Sequence, residues 1–170
     1  PPDLGTKFSM EFIAQADVWD TSTLQHFFAD FSDGSTNRFI FGTRNSPISG
    51  ALGVYSLNAG SGGWVSFDTA PKVFDDLKVH HLTLTVDGTT ALLYDNGNLA
   101  GTATIVSPAI DLATDAGIAS DYNNGSHWFN GTLYRTRFFN RTLSASDVVS
   151  LFENATVPFA DQYGSQTELV

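Results

Sequence analysis

From Lys7 to Val18 apolar and polar residues alternate, with Phe8, Met10 and Phe12 on one side and Ser9 and Glu11 on the other. A period of two marks a half-buried β-strand. The pattern is clearest at Val79 to Val86, where Leu82, Leu84 and Val86 share one face and His81, Thr83 and Thr85 the other. The first face is uniformly apolar and is expected to be buried. Asp87-Gly88 and Asn96-Gly97 are tight-turn signals, and they tie Ala91 to Tyr94 and Leu99 to Ile105 to this strand as hairpins. Further strands are predicted at Arg38 to Gly42, Ala51 to Leu57, Trp64 to Phe67, Gly117 to Ser120 and Gly131 to Phe139, and Leu24 to Phe31 is aromatic-rich. Asp30 to Asn37 (DFSDGSTN), Ala59 to Gly63 and Asp121 to Trp128 (DYNNGSHW) read as loops.

One segment has helical spacing. Ser144 is placed to cap it, Asp147 to complete a capping box, and Val148, Leu151 and Phe152 to form its apolar stripe, with an end near Glu153 or Asn154. Many short strands, regular turns and one late helix predict an all-β, two-sheet antiparallel sandwich of the jelly-roll type, with a short C-terminal helix packed at its edge. The domain is expected over 5–157. The polar stretch 158–170 reads as a linker or the start of a following module, and Pro1 and Pro2 read as a cut through a linker.

Composition narrows the function classes. The 170 residues suit one domain with one core. There is no cysteine, so disulfides and thiolate metal sites are excluded. A net charge of −10 with eight Lys and Arg works against nucleic acid, whose affinity comes from cations on phosphates. No apolar run is long enough for membrane insertion as a helix.

Two stretches carry a family resemblance. VHHLTLTVDGTTALLYDNGNLAG, 79–101, resembles the "WHHVALTYDG…LYVDGxL" hairpin pair of the laminin G-like, or concanavalin A-like, jelly-roll family. FNGTLYRTRFFNRTLSASDVVSLFE, 129–153, resembles the "FxGxIDEVRIYNRALSxxEIxxLY" ending of the same family. The family's acidic pair in "IDEV" falls here on Tyr134 and Arg135. The resemblance implies a lectin- or glucanase-type sandwich. The final segment, VPFADQYGSQTELV, resembles stretches that follow such domains in bacteriophage virion proteins. That resemblance implies display on a virion surface or another secreted, extracellular assembly, with other virion subunits as neighbours.

Enzymatic relatives on this fold carry their carboxylates in a Glu-x-Asp-x-x-Glu run, and glycoside hydrolysis needs two carboxyl groups flanking the scissile bond. Here Glu occurs only at Glu11, Glu153 and Glu168, none of them in such a run, so the chain is read as a non-enzyme. His80 and His81 are adjacent, and adjacent strand residues point to opposite faces, so they do not readily share a metal.

Binding chemistry gathers in the loops instead. Tyr122 and Trp128 flank Asn123, Asn124 and His127, and Trp64 follows a glycine-rich turn. Sugars dock on aromatic faces while amides and carboxylates bind their hydroxyls. These six residues are the expected ligand site, for surface glycans or polysaccharide. Asp30, Asp33 and Asp121 are the expected metal ligands, for calcium, which draws 6–8 oxygen ligands. The resemblance bears on Asp121: the pentraxin branch of the family binds calcium through a loop before its final FxG strand, and Asp121, Asn123 and Asn124 fall in the comparable loop here. The bland reading of the same residues is that Asp and Asn form turns and that Trp128 fills the core. The leading functional expectation is a carbohydrate-binding module, against a ligand-free structural or decoration domain.

Overall fold

The computed structural model describes residues 5–18, 26–43, 51–69, 73–108, 110, 113–123 and 127–163, with side chains of the last segment described to 155. Trp19, Asn124 and the tail 164–170 lie outside the described residues. The strands are β1 (Lys7–Ala16), β2 (Phe27–Ser32), β3 (Arg38–Thr43), β4 (Leu52–Asn58), β5 (Ser61–Ser66), β6 (Val79–Asp87), β7 (Thr90–Asp95), β8 (Asn98–Thr104), β9 (Asp115–Ile118) and β10 (Gly131–Phe139). A 3-10 turn covers Val73–Asp76, and helix α1 covers Ala145–Tyr163.

The strands form two five-stranded sheets, ordered β10-β1-β6-β7-β8 and β5-β4-β3-β2-β9. Every pairing within them is antiparallel. Both sheets turn their apolar faces inward. Phe8, Met10, Phe12, Leu82, Leu84 and Val86 of the first sheet meet Phe31, Phe39, Phe41, Leu52 and Val54 of the second in one buried cluster. Rings hold much of the contact: Phe8 meets Phe39 edge-on at 5.1 Å between centroids, and Phe28 stacks on Phe74 at 5.6 Å.

Alternation predicts solvent on the other face of β6, but His81, Thr83 and Thr85 are buried too. The reason is α1. Tyr94, Leu143 and Val148 are buried together, with Leu92, Phe139 and Leu151 packed against them, and the Phe152 ring lies 5.7 Å from His81. The helix starts as expected: the Ser144 hydroxyl accepts from the Asp147 amide at 3.2 Å, and the Asp147 carboxylate accepts from the Ser144 amide at 2.9 Å. It runs on to Tyr163 instead of ending near Asn154.

Asp30 to Ser32, expected in a loop, belong to β2. Asp30 is fully buried there because Arg38 of the next strand neutralises it. Strand β9 lies at 115–118 rather than 117–120, and β5 begins at Ser61, inside the expected glycine turn.

Candidate functional site

The outward face of the second sheet carries the site. Trp64, Tyr55, Ile40, Asp30 and Gly117 pair in register across β5, β4, β3, β2 and β9, one residue per strand. Their chain neighbours Phe31, Phe39, Phe41 and Val54 point into the core. Alternation therefore sends Asp30, Ile40 and Tyr55 outward, with Arg38 two residues before Ile40 on the same face. A bulge between Phe27 and Ala29 breaks the β2 register. It lets Phe28 and Ala29 both join the core and leaves Phe27 on the outer face.

These residues line an open depression of about 380 Å³, bounded by Phe27, Arg38, Ile40, Tyr55, Gly62, Gly63, Trp64 and His127. Trp64 lies 5.7 Å from Tyr55 and 6.0 Å from Phe27 between ring centroids, and His127 stacks on Phe27 at 4.7 Å and 15°. Gly62 holds φ at +130°, and a Cβ there would collide with the Ser56 carbonyl, so the wall beside Trp64 is kept bare.

The polar side is built on Arg38. Its Nε and Nη2 donate to the two Asp30 oxygens at 3.0 and 2.6 Å, a two-pronged pairing that fixes the guanidinium plane. Burial lowers the pKa of Arg38, but the Asp30 hydrogen bond and charge outweigh that and raise it. The guanidinium sits 4.9 Å over the Tyr122 ring. The Tyr122 amide donates to Asp30 at 3.1 Å, which ties the 119–123 segment to the sheet. That approach needs Gly117, because a Cβ there would lie 2.6 Å from the Ser120 and Asp121 carbonyl oxygens. Farther on, the Phe27 amide donates to the His127 carbonyl at 3.1 Å and sets His127 over the face.

The structure thus brings together Trp64, Tyr122 and His127, with Asp30 beneath them and Asp121 3.5 Å from His127. Asn123 is exposed beside them. Trp128 neither fills the core nor lines the depression: it is 62% exposed, while its neighbour Phe129 is buried.

The expected calcium set does not assemble. Asp30 is occupied by Arg38 and the Tyr122 amide. Asp33 lies beyond the end of β2 and accepts the Ser35, Thr36 and Asn37 amides at 2.8, 2.9 and 3.0 Å. It is the turn former of its own loop, and those amides hold its carboxyl down to about 2. Among the described residues no three acidic, His or Cys side chains converge for a metal.

Sequence reasoning missed Arg38, Tyr55, Phe27 and Ile40. A usable signal existed: Arg38 and Tyr55 occupy the polar-side positions of strands whose other side is Phe or Val.

A larger groove of about 800 Å³ lies on the first sheet beside α1, with Ile13, Val79, Tyr134 and Phe152 among its walls. Its polar residues His81 and Arg135 are engaged with Glu11 at 2.6 and 2.8 Å.

No curated protein matches the chain by sequence. Solved structures match its fold. The Ruminococcus gnavus IT-sialidase CBM40 bound to alpha2,3 sialyllactose superposes with a TM-score of 0.67 at 13% identity, over 88% of this chain and 84% of that one. Domain 4 of AbnA, a GH43 extracellular arabinanase from Geobacillus stearothermophilus, in complex with arabinotriose, gives 0.63 at 16% identity, over 86% of this chain and 66% of that one. The binding domain of botulinum neurotoxin DC in complex with rat synaptotagmin II gives 0.62 at 16% identity, and 89% of this chain covers 36% of it. The family model that matches residues 3–149 agrees with the two-sheet fold, and the chain belongs to the Concanavalin A-like lectin/glucanases superfamily.

Proposed function

We propose that this domain is a non-catalytic carbohydrate-binding module whose ligand lies on the outer face of the second sheet. The observation that carries the reading is the in-register row of Trp64, Tyr55, Ile40 and Asp30, closed at one end by His127 and Tyr122. The half-buried rings of Trp64 and Tyr55 beside fixed hydrogen-bonding groups suit a pyranose: C–H patches stack while hydroxyls find donors and acceptors. Two of the structural neighbours hold sialyllactose and arabinotriose, which supports a glycan as the ligand class. The chemistry of cleavage has no matching support. Glu11, the strand glutamate, is buried on the other sheet and paired with Arg135 and Arg137.

The resemblance of the 157–170 segment to virion proteins supports an extracellular setting, on a virion surface, where the module would attach its assembly to a glycan coat. A glycan-array screen followed by calorimetry tests the function. Trp64→Ala is expected to weaken binding of every hit by about 1–3 kcal/mol with the fold intact, in line with the loss of one stacked ring. Binding is expected to survive EDTA, because the site's carboxylates are already engaged. Absence of any hit, or hits indifferent to Trp64→Ala, would favour a ligand-free decoration domain.

A further inference from the structure

The outer-face site has a charge balance that distinguishes among glycans. Arg38 is the only Lys or Arg among the described residues of β2, β3, β4, β5, β9 and the 119–130 segment. Two of its nitrogens are committed to Asp30, whose side chain is fully buried beneath it. Asp30 also accepts the Tyr122 amide, so it is held in place from two directions. The cation is therefore paired within the site, with a counter-ion that is itself fully buried. Among the described residues the other charged or titratable groups of this sheet and loop include Asp121 beside His127, and Asp115, exposed at the start of β9. The wider field has the same sign, with 18 Asp and Glu against eight Lys and Arg in the chain.

Among the described residues, a carboxylated sugar entering this face would find no Lys or Arg other than the paired Arg38, and the chain's net charge is negative. A neutral sugar is indifferent to that charge, and it can still use the ring faces of Trp64 and Tyr55. We propose that the site selects neutral glycans and discriminates against carboxylated ones, the sialosides and uronides. The proposal rests on the outer face being the glycan site. It separates this chain from its structural neighbour that holds sialyllactose, although the two share a fold.

The test uses matched pairs that differ in the carboxylate: lactose against 3′-sialyllactose, and galactotriose against trigalacturonate, each titrated into the intact chain at low and at physiological salt. The neutral member of at least one pair is expected to bind, with its carboxylated partner weaker by about tenfold at low salt and less so as salt screens the field. Asp30→Asn keeps an oxygen for the Tyr122 amide but frees the Arg38 charge, and it is expected to raise the carboxylated-to-neutral affinity ratio by about tenfold. If Asp30→Asn does not fold, the wild-type pairs still decide. Tighter binding of a carboxylated member than of its neutral parent overturns the proposal while leaving the glycan reading intact. Binding of no member of either pair, with a hit elsewhere on an array, overturns it only if that hit is acidic and supports it if that hit is neutral. No glycan bound at all removes the glycan reading and this proposal with it.

Discussion

Glu11 is fully buried in β1, yet it is ionised. Burial by itself raises a carboxyl. The His81 hydrogen bond and then those of Arg137 and Arg135 outweigh it and bring Glu11 from 4.5 to about 2. A folded-state value below the unfolded one means the stabilisation is complete above pH 4.5 and is lost as pH falls from there toward 2. Glu11→Gln is therefore expected to cost about 3–5 kcal/mol in urea unfolding at neutral pH, since it leaves two guanidinium groups without their counter-charge. The gap between variant and wild type should narrow near pH 3. An equal gap at both pH values would show that the carboxylate charge is not the cause. Period two placed Glu11 correctly, opposite Phe8 and Phe12, but it could not show that this side is roofed. The roof is made by Arg135, Arg137 and a helix more than a hundred residues later in the chain. The same limit hid Arg38 and Tyr55. Their outward position was legible from their own strands, while their meeting with Trp64 depends on strand register, which no local pattern encodes.

The loop expected at 121–128 joins sequence reading to site geometry through its described residues. Its aromatic and amide content marked it as a binding loop, and its Tyr122 and His127 do reach the outer face. Its path was not legible, because it depends on Gly117 in the neighbouring strand and on the β2 bulge that turns Phe27 outward. Gly117→Ala forces a methyl against two backbone carbonyls and must push the segment off Asp30. It is expected to abolish or severely weaken glycan binding while lowering stability by only about 1–3 kcal/mol. Calorimetry and thermal melts of the same sample separate the two effects. A variant that binds like wild type would show that the segment's contact with the sheet is not needed. The helix was the most legible element, because a capping box and an apolar stripe are local signals. Its far end was not: the helix continues to Tyr163, into the stretch from 158 that read as a linker.

At the scale of the whole molecule, the two sheets divide the work. The first has part of its outer face covered by α1 and filled by a buried ion cluster, which leaves a groove beside the helix, while the second carries the aromatic depression on its outer face. The pH dependence of the fold should show a second limb. Burial lowers His80, but Asp95 and Asp76 outweigh it and raise its pKa. A raised value in the folded state means stability that is present below the ordinary 6.5 and is lost as pH climbs through the folded value. Melting temperature is expected to fall as pH rises above 6.5, and His80→Gln should flatten that limb. A wild-type melting curve that is level from pH 6 to 9 would contradict the assignment. Fold class was legible from alternation and turns because every strand repeats the same signal. The site was legible only in part, because it is a property of the assembled sheet.

The glycan site proposed on the outer face of the second sheet can be observed residue by residue. Amide chemical-shift mapping of the labelled domain, titrated with the tightest neutral oligosaccharide from the screen, locates it. The shifted amides are expected to cluster at Phe27, Arg38 to Ile40, Tyr55, Gly62 to Trp64, Tyr122 and His127, and Trp64→Ala is expected to weaken the shifts at a given ligand concentration. Shifts centred instead on Ile13, Val79, Tyr134 and Phe152, in the groove beside α1, would contradict that placement.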